Sequence, residues 1–380
     1  MSPIIVIGTG LAGFNLLKEL RKLDQETPVI LLTSDDGRNY SKPMLSTGFT
    51  KSKQADELAM GGPEQTATAF NATVRTGVTV TAIDRAAKEV VLGDERLAYS
   101  KLVLACGAEV FRPPLEGDGL DRVYTVNDLM DYARFREAVA GKKTVLITGG
   151  GLIGCEFAND LTNGGYQVHL VEPVGRCLPA LLPEQASLAV SDALSKLGVV
   201  FHFGVFVQRV DQHGDGVRAT LSDGSTVEAD LVLSAVGLRP RIALAEAAGL
   251  ETGRGIRVDR CLRTSDADIY ALGDCAEVDG HVLLYVLPLM AAARALAKTL
   301  AGEETPVSYG VMPVSIKTPA CPVVCMPPPA EVAGEWEFEI DGHHVKGLFR
   351  DAEGQLRGYA LTGDACGERM KLNKELPALF

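Results

Sequence analysis

Two glycine fingerprints of the form GxGxxG stand 141 residues apart in this chain, at residues 8–13 (GTGLAG) and 149–154 (GGGLIG). Each follows a short apolar run rich in β-branched residues, at 4–7 and at 145–148, and each opens a helix-like segment. One such fingerprint recurs by chance, but strand, glycine loop and helix in this order are the context of a dinucleotide site. Two of them predict two dinucleotide sites in one protein. That arrangement is needed to pass reducing equivalents from one cofactor to another.

The bulk composition is typical of a soluble α/β protein with two or three domains. Of the 380 residues, 46% are hydrophobic and 23% are charged, and the net charge of −12 argues against a nucleic-acid partner. The longest apolar stretch, at 282–293, is too short to span a bilayer and contains Pro288. No basic segment precedes the N-terminal apolar residues, which are typical of a first strand rather than a signal peptide. We therefore expect a cytoplasmic protein without membrane insertion.

The cysteines and histidines indicate neither a disulfide framework nor a metal site. The eight cysteines show none of the usual spacings, and the six histidines form no ligand pattern. Cys321 and Cys325 lie among prolines, where an ordinary pair of thiols is favoured over a redox couple. We predict no metal ligands.

The alternation of strand and helix patterns predicts an α/β fold with two Rossmann-like dinucleotide-binding domains and a small C-terminal α+β domain. In the first unit a second strand is expected at 29–32, and in the second unit at 168–172. Further strands of the first unit are expected at 76–83, 89–92 and 102–105. A hairpin with its turn at Asp341 and Gly342 is predicted near the end of the chain.

The first fingerprint has the residues that a phosphate loop needs. Gly8 permits the tight turn, Gly10 lets the backbone approach a pyrophosphate, and Gly13 lets the helix pack against the strand. An acidic residue after the second strand would bind the ribose hydroxyls; Asp35 fits, and a solvated turn at Asp35 and Asp36 is the alternative. The residues expected at this site are Gly8, Thr9, Gly10, Leu11, Ala12, Gly13, Ser34 and Asp35.

The second fingerprint is followed by an acidic residue at the end of its own second strand. Glu172 stands 23 residues after Gly149, where a carboxylate accepts hydrogen bonds from the ribose hydroxyls and repels a 2′-phosphate. NADH should therefore be preferred over NADPH. Arg176 either softens this preference or is a simple surface charge. The residues expected at this site are Gly149, Gly151, Leu152, Ile153, Gly154, Glu172 and Arg176.

Three longer segments resemble a known family. Residues 264–274 (TSDADIYALGD) are similar to the second FAD motif of the glutathione-reductase-like flavoproteins, the FAD-dependent pyridine nucleotide-disulfide oxidoreductase family. Residues 102–107 (LVLACG) resemble the family's strand-to-ATG segment, with Cys106 in place of the threonine, and 229–240 (ADLVLSAVGLRP) resemble the segment before the return to the FAD domain. The resemblance covers nearly the whole chain. It implies an FAD-binding domain at 1–110 and 238–305, an NADH-binding domain at 111–237 and a C-terminal domain at 306–380.

Details within that family point to the branch of NADH-dependent ferredoxin and rubredoxin reductases. Residues 40–46 (YSKPMLS) resemble the flavin-flanking segment of that branch, whereas disulfide reductases carry a close cysteine pair there and this chain has no cysteine before Cys106. The resemblance also places Glu156 on the helix that begins beside the nicotinamide. Residues 316–322 (IKTPACP) and 372–377 (LNKELP) are similar to members of this branch that serve alkane oxidation.

The resemblance implies roles for individual residues. Lys42 is expected at the flavin edge, paired with Glu156, and these two are the candidate catalytic residues; a solvent-exposed Lys42 is the alternative. A helix beginning near Pro288 would direct its N-terminus at the flavin, with Asp274 on the ribitol chain. The implied FAD contacts also include Pro43, Val80, Ala105, Cys106, Gly107, Gly273, Val286, Leu287 and Lys317, and the implied NADH contacts include Val236 and Gly237.

The resemblance therefore implies bound FAD, NADH as the substrate and rubredoxin as the acceptor, in a reaction that feeds an alkane hydroxylase system. Alternatives are a ferredoxin reductase of an oxygenase, a flavorubredoxin reductase and, from another class, a flavin redox sensor. An NADH oxidase or peroxidase would need a reactive cysteine where Lys42 and Pro43 stand. Because rubredoxins are commonly acidic, basic residues should dock them. The candidates are Lys42, Lys317, Arg369, Lys371 and Lys374.

Overall fold

The first glycine fingerprint lies between a strand and a helix. The computed structural model describes residues 2–380. Within these residues the α-helices are α1 (Leu11–Arg21), α2 (Ala55–Leu58), α3 (Pro63–Ala69), α4 (Leu129–Val139), α5 (Leu152–Asn163), α6 (Glu184–Leu197), α7 (Ala243–Ala247), α8 (Val286–Leu300) and α9 (Arg369–Leu372). Short 3₁₀ helices occupy Lys42–Thr47, Leu120–Arg122, Gly273–Cys275 and Gly363–Glu368.

The strands are short. In the first part of the chain they are β1 (Ile4–Ile7), β2 (Val29–Leu32), β3 (Asn39–Tyr40), β4 (Ala59–Gly61), β5 (Thr73–Arg75), β6 (Ala82–Asp84), β7 (Glu89–Leu92), β8 (Glu95–Ala98), β9 (Lys101–Leu104) and β10 (Ala108–Val110). The middle part has β11 (Val123–Tyr124), β12 (Thr144–Thr148), β13 (Gln167–Glu172), β14 (Val200–Phe203), β15 (Val207–His213), β16 (Gly216–Leu221), β17 (Thr226–Ala229), β18 (Leu231–Ser234) and β19 (Leu238–Pro240). The last part has β20 (Ile256–Val258), β21 (Ile269–Ala271), β22 (Ala276–Val278), β23 (Val314–Ile316), β24 (Val323–Met326), β25 (Gly334–Asp341), β26 (His344–Asp351) and β27 (Leu356–Thr362).

The first glycine loop leaves a five-stranded parallel sheet with the order β21-β9-β1-β2-β5. Ile4, Ile5 and Val6 of β1 are at most 2% exposed, because helices cover a doubly wound parallel sheet on both faces. Helices α1 and α8 pack against each other beside it. Since the carboxyl ends of parallel strands meet at one edge, the loops after β1, β2, β9 and β21 all reach the same place.

A second parallel sheet repeats this design around the second glycine loop. Its order is β11-β18-β12-β13-β14, and the loop after β12 leads into α5. A short antiparallel ribbon of β10 and β19 connects the two units where the chain crosses between them.

The C-terminal part forms an antiparallel sheet with the order β23-β24-β27-β26-β25. Strands β25 and β26 are the predicted hairpin, with Gly342 in its turn at a φ of 57°. Helix α6 of the second unit packs against β26 and β27, so this sheet lies on the second unit.

The predicted α/β class, with two Rossmann-like units and a small C-terminal α+β unit, is confirmed, whereas the domain boundaries stay a prediction. The strand expected at 76–83 is wrong in its bounds, because β5 ends at Arg75 and β6 begins at Ala82. Gly77 interrupts the extended chain there with a left-handed φ of 65°. Among residues 2–380, no helix combines the length and the apolar character needed to cross a membrane.

Candidate functional site

The first glycine loop has the geometry of an anion cradle. Gly8 has a φ of 117°, and a side chain at Gly8 or Gly13 would collide with backbone carbonyl groups. At Gly10, in contrast, an added Cβ would meet no atom within 4 Å. Gly10 is also the N-cap of α1 and has no side chain to satisfy the free N–H groups of the first turn. The loop therefore leaves donors and open space where a phosphate would sit.

Asp35 follows β2 directly beside this loop. Its Oδ1 accepts hydrogen bonds from Thr33 Oγ1 at 2.7 Å, from the backbone N–H of Gly37 at 2.9 Å and from Thr9 Oγ1 at 3.2 Å. All of these bonds reach one carboxylate oxygen, so Oδ2 remains available to a ribose hydroxyl. Of the other predicted contacts on this side, Ser34 is exposed and Val80 is half-buried.

Asp274 and Lys42 meet at the other side of the loop. Gly273 lies against Ala12 of α1, since an added Cβ there would be 2.8 Å from the Ala12 Cβ. The next residue, Asp274, places Oδ2 3.9 Å from Lys42 Nζ. Burial raises the pKa of Asp274, and the Lys42 charge opposes that rise. Burial lowers the pKa of Lys42 although Asp274 stabilises its charge, so the ammonium is short of anionic partners and suits a diphosphate.

Lys42 does not pair with Glu156, and that prediction is wrong. The Lys42 ammonium instead donates to Asn127 Oδ1 at 2.8 Å. Asn127 is held in turn by the Ala108 carbonyl oxygen, which accepts from Nδ2 at 2.9 Å. The reason for the difference is that Lys42 begins its 3₁₀ helix on the side facing Asp274, at the first loop.

The partner of Glu156 is Lys317. Glu156 is 1% exposed, and its Oε1 accepts from the Lys317 backbone N–H at 2.8 Å. Its Oε2 accepts from Lys317 Nζ at 2.5 Å and from Ser46 Oγ at 2.5 Å. Sequence reasoning included Lys317 among the cofactor contacts but missed both its pairing with Glu156 and the role of Ser46.

Two neighbours of Glu156 on α5 extend this contact. The Asp160 carboxylate accepts from the backbone N–H groups of Phe49 at 3.0 Å and Thr50 at 2.8 Å. Asn159 Oδ1 accepts from the Ala320 backbone N–H at 3.0 Å. Both side chains are at most 2% exposed. One face of α5 thus binds both the segment that follows Lys42 and the segment that follows Lys317.

The second glycine loop repeats the cradle and adds a fixed carboxylate. Gly149 has a φ of 99°, and an added Cβ at Gly151, the uncapped N-cap of α5, would meet no atom within 4 Å. Glu172 Oε2 accepts from the Gly150 backbone N–H at 2.7 Å, and Oε1 accepts from that of Val174 at 2.9 Å. The carboxylate is therefore fixed at the loop. The half-buried Arg176 forms no ion pair with any residue from 2 to 380.

Further predicted contacts lie at strand ends around these loops. The chain turns at Gly107 and Gly237 with φ values of 69° and 119°, one on each side of the ribbon that joins the two units. Helix α8 begins at Val286, and the Tyr285 N-cap supplies no side-chain hydrogen bond. Val286 and Leu287 are exposed by 39% and 49%. The free N–H groups of this first turn are suited to stabilise negative charge on an apolar ring.

This geometry fits two dinucleotides. The first loop, with Asp35, Lys42 and Asp274, offers an anion cradle, a ribose acceptor and a cation. The second loop, with Glu172, offers a cradle and a carboxylate that a 2′-phosphate would meet at close range.

Comparison with known proteins agrees with this reading of the site. Residues 2–298 match the family model described as pyridine nucleotide-disulphide oxidoreductase. The chain is 65% identical to the rubredoxin-NAD(+) reductase of Alcanivorax borkumensis, with 100% of each chain covered. It is 43% identical to the rubredoxin-NAD(+) reductase of Acinetobacter baylyi, over 100% of this chain and 99% of the other. The chain belongs to the pyridine nucleotide-disulphide oxidoreductase family.

Two further matches cover the last part of the chain and the whole fold. Residues 306–376 match a model described as rubredoxin binding C-terminal domain. The ferredoxin reductase for the CYP199A2 system of Rhodopseudomonas palustris superposes with a TM-score of 0.89 at 26% identity, over 100% of this chain and 96% of the other. The predicted membership of this oxidoreductase family is confirmed, and FAD and NADH are its nucleotides.

Proposed function

We propose that this protein passes electrons from NADH, through bound FAD, to rubredoxin. The observation that carries the proposal is the connection between two parts of the chain. Residues 306–376, which match the rubredoxin-binding model, contain Lys317, and Lys317 Nζ lies 2.5 Å from Glu156 Oε2 on the helix of the second glycine loop. The acceptor-binding part therefore contacts the element that binds the electron donor.

The residues divide the work between the two nucleotides. The second loop and Glu172 would hold NADH, while the first loop, Asp35, Lys42 and Asp274 would hold FAD. Bound FAD supplies the conversion from a two-electron donor to a one-electron acceptor. The Glu156–Lys317 pair, closed from water at its carboxylate end, would hold a fixed charge arrangement between the two sites.

Basic residues of the C-terminal unit are the better candidates for docking rubredoxin. Arg369, Lys371 and Lys374 are exposed on or just after α9, within the matched segment. Lys42 and Lys317 instead direct their ammonium groups towards Asp274 and Glu156. We propose that the three exposed residues steer an acidic partner, a contribution that salt would screen.

Stopped-flow mixing tests the proposal. The flavin absorbance should fall on mixing with NADH and recover on a second mixing with oxidised rubredoxin, much faster than with dissolved oxygen. Ferredoxin serves as the matched acceptor, because the similar protein of Rhodopseudomonas palustris is a ferredoxin reductase. Recovery that is no faster with rubredoxin than with oxygen would remove the proposed acceptor, and faster recovery with ferredoxin would favour the alternative.

Three finer statements belong to the same proposal. Delivery of electrons to an alkane hydroxylase stays a prediction from sequence resemblance. The division into 1–110 with 238–305, 111–237 and 306–380 is proposed as the set of folding units. A cytoplasmic location is supported by the eight free cysteines, since the cytosol keeps thiols reduced.

A further inference from the structure

A pair of neighbouring thiols lies behind each glycine loop. Cys155, in the first turn of α5, contacts the Cys177 thiol and donates to the Gly150 carbonyl oxygen at 3.2 Å. Cys106, directly after β9, contacts the Cys275 thiol. Cys155, Cys177 and Cys275 are fully buried, whereas Cys106 is only half-buried. The pair at the first loop is therefore the one that a small reagent can reach.

The sheet brings Cys106 and Cys275 together. In the parallel pairing of β9 and β21, Leu104 lies opposite Ala271, and the Leu272 N–H donates to the Leu104 carbonyl oxygen at 3.1 Å. Cys275 Sγ lies 3.4 Å from that same oxygen. The Cys275 sulfur also faces the backbone N–H groups that follow β9. Both cysteines thus sit at the strand ends that meet the first loop.

The surroundings give the two thiols different chemistry. Hydrogen bonds from the Cys106 thiol and from the backbone N–H groups of Cys106 and Gly107 lower the pKa of Cys275. The hydrogen bond to Cys275, together with burial, raises the pKa of Cys106. The thiolate is the nucleophile in disulfide formation, so Cys275 is suited to attack an oxidised Cys106.

We propose that Cys106 and Cys275 are a modification site at which hydrogen peroxide closes a disulfide beside the first nucleotide loop. Peroxide oxidises the accessible Cys106 sulfur to a sulfenic acid and leaves as water. Cys275 Sγ then attacks that sulfur, the S–S bond forms and a second water leaves. In total, two thiols and one hydrogen peroxide give one disulfide and two water molecules.

The disulfide would act on the first site through Asp274. Asp274 is the neighbour of Cys275 in the 3₁₀ helix Gly273–Cys275, which packs against α1. Drawing Cys275 towards Cys106 displaces this turn, and with it the carboxylate that lies 3.9 Å from Lys42 Nζ. Oxidation should therefore loosen FAD, and a thiol reductant should reverse the effect. The inference goes beyond the proposed function and does not depend on the electron acceptor.

Peptide mass mapping of the peroxide-treated, FAD-loaded protein tests the proposal. We expect a linked peptide carrying Cys106 and Cys275, lighter by two hydrogen atoms than its two parts and abolished by dithiothreitol. The fraction of FAD that passes a desalting column should fall in treated wild type. Cys106→Thr and Cys275→Ser should each retain the same FAD fraction before and after treatment, every variant being compared with its own untreated sample.

Two comparisons keep the outcome decisive. Cys366→Ser removes another half-buried thiol and should leave the peroxide response of the wild type intact. The buried Cys155–Cys177 pair in the same digest should stay reduced. Recovery of Cys106 and Cys275 as separate unlinked peptides after treatment would overturn the proposal, as would equal FAD loss from treated wild type and treated Cys106→Thr. Neither result bears on rubredoxin reduction.

Discussion

The contact between Lys317 and Glu156 should be a measurable part of what holds the C-terminal unit on the second unit. Lys317→Met removes the ammonium but keeps the backbone N–H that donates to Glu156 Oε1 at 2.8 Å. Glu156→Gln removes the negative charge but keeps an oxygen that accepts from Ser46. The double variant removes both charges, so the three variants and wild type form a thermodynamic cycle.

The structure sets the size of the effect. At the 2.5 Å separation of Lys317 Nζ and Glu156 Oε2, the gross attraction at an effective dielectric constant of about 20 is roughly 6–7 kcal/mol. Most of this is offset by desolvation of the carboxylate and by fixing the lysine side chain. The lysine is 33% exposed and the carboxylate keeps two other donors. We therefore expect Lys317→Met to cost about 2–3 kcal/mol and the coupling energy to be about 1–2 kcal/mol.

The assay is urea unfolding of the FAD-loaded protein, followed by the fluorescence of Trp336. This is the single tryptophan of the chain, and it packs against the core that includes the second unit. Lys18→Met is the matched control, because Lys18 is exposed and forms no ion pair with any residue from 2 to 380. A coupling energy below about 0.5 kcal/mol, within ordinary additivity, would refute the reasoning.

Three further substitutions test the second loop and the helix that follows it. Gly151→Ala should change the free energy of unfolding by less than about 0.5 kcal/mol, because the added methyl meets no atom within 4 Å; steady-state kinetics should show KM for NADH raised about tenfold by the lost phosphate contact, and an unchanged KM would count against the cradle. Glu172→Gln should reduce the preference for NADH over NADPH by about tenfold, measured as the ratio of kcat/KM values; an unaltered ratio would contradict that role. Asp160→Asn should cost about 1–3 kcal/mol in urea unfolding, since its amide N–H₂ would face one of two backbone donors. Burial raises the pKa of Asp160 above 3.8, so the folded state binds this proton more tightly. Wild-type stability should therefore fall relative to the variant as the pH rises from 3.8 to the folded pKa, and equal pH profiles would disprove the shift.

The parts of the site that depend on local backbone geometry could be predicted from the sequence. Gly8 and Gly149 are needed because the turns after β1 and β12 have φ values of 117° and 99°. Glu172 was located by its position at the end of a strand, and its carboxylate indeed contacts the loop through the Gly150 N–H. These features follow from rules that act over a strand, a loop and a helix.

The side-chain pairings could not be predicted in this way. Glu156 and Lys317 are 161 positions apart, and Glu156 and Ser46 are 110 apart. Proximity in sequence to the flavin-flanking segment favoured Lys42 as the partner, but three-dimensional position decided for Lys317. The strand expected at 76–83 failed for a different reason, since its apolar alternation resembled a strand while Gly77 turned the chain.

Helix α5 gives the two loops their connection to the acceptor side. Its N-terminus is the second cradle, and Glu156, Asn159 and Asp160 occupy one face at the spacing of a helical turn. That face contacts the segment after Lys42 and the segment after Lys317 at once. A change at Glu156 should therefore slow both flavin reduction by NADH and reoxidation by rubredoxin, whereas a change at Lys371 should slow only the second. Two half-reactions that share one rigid helix need no separate device to bring donor and acceptor to the same flavin.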